Sequence, residues 1–411
     1  MTDSSSEASQ VLAGLLSGEG LADPYPFYAE LHRLGPVSAL PDHPSYAALV
    51  NGYDAVGRVL RDPVFRVSDA AFAEPLMPDW HQHPVLAMLY GSMMFSNAPH
   101  HTRMRRLFQA VFTPRRVVEL EPAIVRLTDD RLDRIAALGA NGAEVDFMAE
   151  FAYLLPSGVV AALLGIPDDD LGWFRPRVER INDYLDVAGK TPEVLAAADT
   201  ATLELTGYYA DLIARRRAEP RDDLVGSLVQ AVDAEPTLTD EELVSNLLVL
   251  FNASFVTTIH LLGNGLRILL DRPELAAALR SEPAAAASYV EEMLRFDTSV
   301  QFVARFATQD TEVAGVTMPA GRLVLIVLGA ANRDPKRYRD PDVFDPARQD
   351  SKPLSFGAGP HYCLGAALAR AEARLAFPML LRRFPALAAG GPPVRNQQQF
   401  LRGYSRLPVV I

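Results

Sequence analysis

The sequence predicts one domain of the mainly α (α+β) class, a helix-rich body with a small β region. Three observations predict it. From about residue 120 onward, apolar residues recur at helical spacing in long segments separated by proline, glycine or aspartate. Within this part of the chain, strand-like runs appear only at 302–306, 311–318 and 322–327. A glycine-rich loop with the chain's one cysteine then leads into an alanine-rich helix.

The first hundred residues alternate between short elements. Residues 1–20 are expected to form a flexible lead-in, and Asp23-Pro24 begins a short helix that runs to Arg33. Residues 45–50 have strand character, and helical spacing returns at 53–60. The next segment, 68–96, is loop-like and rich in proline, methionine and aromatic residues.

The middle of the chain is predicted to be helical almost throughout. The predicted helices cover 121–138, 145–164, 170–188, 193–217, 240–270, 273–280 and 284–296. The segment 240–270 is the longest and most apolar of these, which makes it the expected centre of the core.

Composition excludes several classes of protein. Of 411 residues, 49% are hydrophobic and 22% charged, so the chain can bury a large core and is not disordered. A net charge of −12 without a basic run makes nucleic acid an unfavourable partner. The polar, acidic N-terminus has no apolar anchor, and a lone cysteine fits a reducing compartment. We therefore expect a cytoplasmic protein that does not bind a membrane.

The loop around Cys363 has the features of a thiolate ligand site. A helix that begins just after the cysteine offers free backbone N–H groups and the positive end of its dipole, both of which stabilise a thiolate. The glycines at 357, 359 and 365 leave room for a flat group against the backbone. A lone cysteine is more often a small buried apolar residue, but the surrounding loop argues against that alternative here.

The segment Phe356-Gly357-Ala358-Gly359-Pro360-His361-Tyr362-Cys363-Leu364-Gly365 resembles the haem-binding loop of the cytochrome P450 family, Phe-x-x-Gly-x-His/Arg-x-Cys-x-Gly. Every position of the pattern is filled. The resemblance implies the P450 fold, with haem b between the long helix at about 240–270 and the helix after the cysteine. It also implies that Cys363 ligates the iron and that Phe356, Gly357 and Gly365 contact the cofactor.

Glu292 and Arg295 lie three residues apart, a spacing at which an acid and a base pair on one helix face. Such a pair alone is most simply a surface salt bridge. The position resembles the family's Glu-x-x-Arg pair, which is buried and completed by an arginine that Arg348 matches. The resemblance implies that these three residues support the proximal side of the haem.

Four cationic residues match family positions that bind the haem propionates. His101 and Arg105 lie one turn apart on the same helix face, so both can reach one carboxylate. Arg305 lies in a strand-like run and His361 in the cysteine loop. The alternative for each is an ordinary solvated surface role.

The long helix departs from the family pattern. Residues 253–258 stand where the family has Ala-Gly-x-Asp/Glu-Thr-Thr, so Thr257 is retained, while Val256 replaces the acid and Ser254 the glycine. Two interpretations remain open. Either water and hydroxyls such as those of Thr257 and Ser254 deliver protons instead, or the reaction depends less on this relay.

The resemblance also implies where substrate binds, largely through the loop-like 72–95 segment and apolar positions elsewhere. Packing as ordinary core is the alternative for each of these side chains. The residues proposed to contact substrate are Trp80, Met88, Phe251, Phe255, Val300, Phe302 and Phe400.

As a whole, the resemblance implies a bacterial P450 monooxygenase, one haem domain over residues 1–411 with no fused reductase domain. Its expected substrate is a hydrophobic small molecule, a secondary metabolite, oxidised with O2 by hydroxylation, epoxidation or oxidative coupling. Electrons are expected from NAD(P)H through ferredoxin reductase and ferredoxin, and the protein is expected to be a monomer.

Two other functions compete with this interpretation. One is a haem-binding accessory protein that recruits a partner without turnover, which the complete Cys363 loop disfavours. The other is a peroxide-driven oxidant. Such enzymes tend to have an arginine near the distal threonine, and none occurs between Asn252 and Gly265.

Overall fold

The chain begins with helices where the sequence analysis expected a flexible lead-in. The computed structural model describes residues 2–186, 190–235 and 237–411, and it starts with α1 (Thr2–Leu15) and α2 (Gly18–Ala22). Apolar residues at helical spacing on α1 are buried in one cluster with Tyr28 and Leu31 of the third helix and with residues of the main sheet: Ala8, Val11, Leu12 and Leu15. The prediction for residues 1–20 is therefore wrong from residue 2 onward, because this apolar face anchors the segment.

Helices form most of the remaining body. They are α3 (Tyr25–Leu34), α4 (Tyr53–Arg61), α5 (Ala70–Ala73), α6 (Pro84–Tyr90), α7 (His100–Val111), α8 (Pro114–Leu138), α9 (Leu154–Leu164), α10 (Leu171–Leu185), α11 (Pro192–Ala218), α12 (Leu224–Ala234), α13 (Asp240–Leu270), α14 (Pro273–Ser281), α15 (Ala286–Phe296), α16 (Leu328–Ala331) and α17 (Ala366–Arg383). A π-helical turn, Met148–Ala152, precedes α9. The mainly α class is confirmed. A helix was expected at residues 101–105 within α7, whereas α5, α6, α12 and α16 were not predicted.

The strands are short and lie mostly at the two ends of the chain. They are β1 (Val37–Ala39), β2 (Tyr46–Val50), β3 (Phe65–Arg66), β4 (Val145–Asp146), β5 (Phe302–Ala307), β6 (Thr311–Val313), β7 (Val316–Met318), β8 (Leu323–Val327), β9 (Ala388–Ala389), β10 (Val394–Arg395), β11 (Tyr404–Arg406) and β12 (Pro408–Val410). The largest sheet has the order β1-β2-β8-β5-β3, in which only β2 and β8 pair in parallel.

Helix α13 passes through the centre of the core. It begins with a capping box in which Thr239 and Glu242 bond each other's backbone N–H groups. It is long and apolar enough to cross a membrane, but most of its apolar stretch is buried inside the protein, as in a core helix. Between Leu243 and Leu269 the residues that are not fully buried are Ala253, Ser254, Val256, Thr257 and Arg267.

Candidate functional site

The cysteine loop is held in a fixed shape by its glycines and by backbone hydrogen bonds. Gly357 and Gly359 both have φ of +70°, a conformation that favours glycine. A Cβ on Gly359 would lie 2.3 Å from the carbonyl oxygen of Leu60. The Cys363 N–H donates to the Phe356 carbonyl at 2.9 Å, so the loop presents the thiol just before α17 begins.

The Cys363 thiol is surrounded by protein yet accessible, so it faces an internal space. Burial raises the pKa of this thiol, whereas backbone N–H groups of Gly365 and Ala366 and the charge of Arg105 lower it. A Cβ on Gly365 would meet only the Cys363 sulfur, at 4.0 Å. The site therefore offers a sulfur, thiolate-stabilising donors and free space beside it, which suits a bound metal ion.

Four basic side chains, those of His101, Arg105, Arg305 and His361, converge near this loop. The rings of His101 and His361 lie 4.1 Å apart, and burial followed by the charges of His101, Arg305 and Arg105 lowers the pKa of His361 to about 3. Burial also lowers the pKa of Arg305 to about 10. Across the described residues, none of the four forms an ion pair with an acid, and the buried Nε2 of His101 has no hydrogen-bond partner. The charge of this cluster comes from the two guanidiniums, which disfavour protonation of the imidazoles, and a bound anion would offset that charge.

The structure brings Glu292, Arg295 and Arg348 together. Glu292 and Arg295 are almost completely buried, and their carboxylate and guanidinium form two bonds of 2.7 and 2.8 Å. Arg348 Nε lies 3.3 Å from Glu292 Oε1, which also accepts the Asp345 N–H at 2.9 Å. Arg295 donates further to the carbonyls of Asn332, Pro341 and Val343. The cluster thus ties α15 to the segment that leads to the cysteine loop.

The partly accessible stretch of α13 contains both hydroxyl residues singled out from the sequence. Ser254 Oγ donates to the Leu250 carbonyl at 2.5 Å, and Thr257 Oγ1 donates to the Ala253 carbonyl at 3.2 Å. Val256 is half-buried beside them. Each hydroxyl oxygen keeps lone pairs with which it can accept a hydrogen bond from water or a ligand.

The proposed substrate contacts fall into two groups. Trp80, Val300 and Phe400 are half-buried at the edges of the core clusters, and the exposed part of each side chain is compatible with ligand contact. The other four are buried and pack as core, which favours the packing alternative for Met88, Phe251, Phe255 and Phe302. Phe251, for example, lies 4.6 Å from the ring of Phe174 on α10.

One residue near the cysteine, Arg370, could not be predicted as part of the site from the sequence. The Arg370 guanidinium on α17 lies 4.5 Å from the Phe356 ring centre, and its charge lowers the pKa of the Cys363 thiol. Arg370 also pairs with Glu291 on α15. These residues meet only through the packing of α15 against α17, which local patterns do not specify.

Comparison with known proteins decides the family. Residues 22–407 match the family described as Cytochrome P450. The chain belongs to the cytochrome P450 family. Among curated relatives, the P450 monooxygenase PikC of Streptomyces venezuelae is 37% identical over 402 residues, 96% of this chain and 93% of PikC. The protein is accordingly a P450 monooxygenase of bacterial type.

Solved P450 structures share the fold along almost the whole chain. CYP164A2 of Mycobacterium smegmatis superposes with a TM-score of 0.88 at 34% identity, covering 98% of this chain and all of that one, and it has also been solved with econazole bound. P450BioI, solved with a fatty-acyl carrier protein, gives a TM-score of 0.87 at 30% identity, covering 96% of this chain and all of that one. The predicted P450 fold is thus confirmed.

The residues of this P450 fit the haem that the family binds. The Cys363 thiol would provide the iron ligand, and a Cβ built on Gly365 would have only the Cys363 sulfur as a neighbour, at 4.0 Å, so this glycine leaves the face beside the sulfur open. Arg105 and Arg305 would supply the positive charge, and His101 and His361 further hydrogen-bonding groups, for the two propionates. When bound, haem supplies reductive activation of O2 at a thiolate-ligated iron.

Proposed function

We propose that this P450 oxidises a hydrophobic small molecule, a secondary metabolite, as a single haem domain spanning residues 1–411. The observation that carries the proposal is the Cys363 loop beside two arginines and two histidines that form no ion pair with an acid among the described residues. Cys363 ligates the iron, Phe356, Gly357 and Gly365 line the loop, and the propionates bind His101, Arg105, Arg305 and His361. Glu292, Arg295 and Arg348 stabilise the proximal side.

Proton delivery in this proposal depends on hydroxyls and water. Val256 has no proton to give, whereas Thr257 and Ser254 lie on the one partly accessible stretch in the middle of α13. A water that bridges these hydroxyls can replace a carboxylate in the relay. A hydroxyl of the substrate is a second source of the proton.

The remaining features of the proposal concern partners and location. Electrons arrive from NAD(P)H through ferredoxin reductase and ferredoxin, and the protein acts as a cytoplasmic monomer. The apolar side chains of Trp80, Val300 and Phe400 contact the substrate. Several relatives act on natural products by their names, among them 6-deoxyerythronolide B hydroxylase, which supports the substrate class.

Turnover assays test the proposal against its two alternatives. Purified protein would be incubated with hydrophobic metabolites and either NADPH, reductase and ferredoxin, or hydrogen peroxide alone. We expect product only with the electron-transfer proteins. Product with peroxide alone would identify a peroxide-driven enzyme, and a normal CO complex without any product across the panel would favour an accessory role.

A further inference from the structure

Asp186, which follows the last residue of α10, is a buried carboxylate that binds the backbone of a distant loop. Its Oδ1 accepts the N–H groups of Gln399 at 3.0 Å and of Phe400 at 3.1 Å, and its Oδ2 lies 3.2 Å from the Gln399 nitrogen. The residue is only 8% exposed. Bonds from N–H groups to a buried carboxylate are stronger than neutral ones, so this contact fixes the loop firmly to α10.

The loop held by Asp186, residues 396–402, is bonded on its other side to residues 299–301. The Gln301 N–H donates to the Phe400 carbonyl at 2.8 Å, and the Arg402 N–H donates to the Ser299 carbonyl at 2.7 Å. Between these bonds, Val300 pairs with Leu401 as an isolated β-bridge. The two segments therefore form one hydrogen-bonded layer, which we call the 299/400 wall (residues 299–301 and 396–402).

The 299/400 wall also contacts the partly accessible stretch of α13. The Ser299 hydroxyl donates to the Thr257 carbonyl at 2.8 Å. A continuous series of hydrogen bonds thus joins the end of α10 to the residue proposed to handle protons. Val300 and Phe400, two of the proposed substrate contacts, lie within the wall and are half-buried.

We infer that Asp186 is a positioning residue that fixes the 299/400 wall and so sets the shape of the pocket for bulky hydrophobic ligands. The inference rests on the proposed function, since the wall borders the pocket only if Thr257, Val300 and Phe400 face the substrate. Asp186 touches no substrate in this account. It acts through the backbone amides of Gln399 and Phe400.

Ligand binding to the haem-loaded protein tests the inference. The variants are Asp186→Ala, Asp186→Asn, which keeps one acceptor oxygen, and the control Asp183→Asn. Asp183 lies nearby on α10 and is exposed, and it contacts the wall through a side chain, accepting from Gln398 Nε2 at 3.2 Å, whereas Asp186 binds the backbone of the wall. Two ligands would be titrated and followed by absorbance. Econazole is bulky and would contact the pocket, whereas imidazole is small and would bind mainly through the iron.

We expect Asp186→Ala to bind econazole about tenfold more weakly, because a tenfold change corresponds to the free energy of about one charge-assisted hydrogen bond. Asp186→Asn should be intermediate and Asp183→Asn unchanged. Imidazole affinity should be the same in all four proteins. Unchanged econazole affinity in Asp186→Ala, or an equal loss for imidazole, would overturn the inference.

Hydrogen exchange of a peptide spanning 396–402 gives a second readout that does not depend on the haem. In Asp186→Ala the amides of Gln399 and Phe400 should exchange at least tenfold faster, while the peptide containing Val256 and Thr257 should be less affected. Unchanged exchange would also overturn the inference. Failure of wild-type protein to bind imidazole would instead contradict the haem-thiolate function.

Discussion

Thr257 is the side chain on which the proposed proton delivery depends most. Its hydroxyl donates to the Ala253 carbonyl at 3.2 Å, a long bond that a water or ligand acceptor could replace. Val256 leaves this part of α13 without a carboxylate, and the sequence has none between Glu242 and Asp271. Hydroxyls and bound water are therefore the proton carriers available at this position.

Replacing Thr257 should uncouple electron consumption from product formation. In Thr257→Ala, we expect the product formed per NADPH to fall several-fold while hydrogen peroxide rises, because the hydroxyl that anchors the proton-donating water is lost. Thr257→Ser keeps the hydroxyl and should restore most of the coupling. Equal product-to-NADPH ratios in Thr257→Ala and wild type would exclude this hydroxyl from the relay.

At the scale of elements, buried charge connects helices to loops that have little regular structure. The Glu292 carboxylate on α15 accepts bonds from Arg295, Arg348 and the Asp345 backbone, which orders the segment between β8 and the cysteine loop. Helix α13 is joined to the C-terminal hairpin β10–β11 in a different way. There, the buried His260 imidazole packs against Gly403 and lies 3.4 Å from Asn396 Nδ2.

Glu292→Ala should lower the free energy of unfolding by about 3–5 kcal/mol, because it leaves a buried guanidinium unpaired. Haem incorporation should fall as well. Glu119→Ala is the control, since Glu119 pairs with exposed Arg115 and should cost less than about 1 kcal/mol. Urea unfolding and the haem content of the purified proteins measure both effects. A fully haem-loaded Glu292→Ala protein of wild-type stability would contradict the structural role.

His260 should make the protein less stable in mild acid. Burial, and to a lesser extent the charge of Arg395, lowers the pKa of His260 from 6.5 to about 4. Below pH 6.5 the unfolded chain binds a proton at His260 that the folded protein binds only near pH 4. The free energy of unfolding is therefore not reduced by His260 above pH 6.5. As the pH falls from 6.5 to 4, protonation of His260 in the unfolded chain lowers the free energy of unfolding by about 3 kcal/mol.

His260→Gln should flatten the dependence of the unfolding free energy on pH between 6.5 and 4. His100→Gln, at an exposed position on α7, is the control for the loss of an imidazole side chain. Urea unfolding at several pH values in this window gives the comparison. Parallel curves for wild type and His260→Gln would show that the imidazole titrates normally in the folded protein.

At the scale of the whole molecule, long periodic segments were predictable and long-range contacts were not. The bounds of α13 agree with the predicted 240–270 helix, because its apolar pattern persists over many turns. Helix α6 was missed because proline and aromatic residues around it resemble a loop. The convergence of His101, Arg305 and His361 could be predicted only from the family resemblance, because these residues lie on three separate elements that packing brings together.

The central claim is that Cys363 ligates a haem iron between α13 and α17. The most direct measurement is the absorbance spectrum of the reduced CO complex of Cys363→Ser beside that of wild type. We expect the strongly red-shifted Soret band, which depends on thiolate donation, to be present in wild type and absent from the variant. Survival of that band in a haem-loaded Cys363→Ser protein would contradict the account.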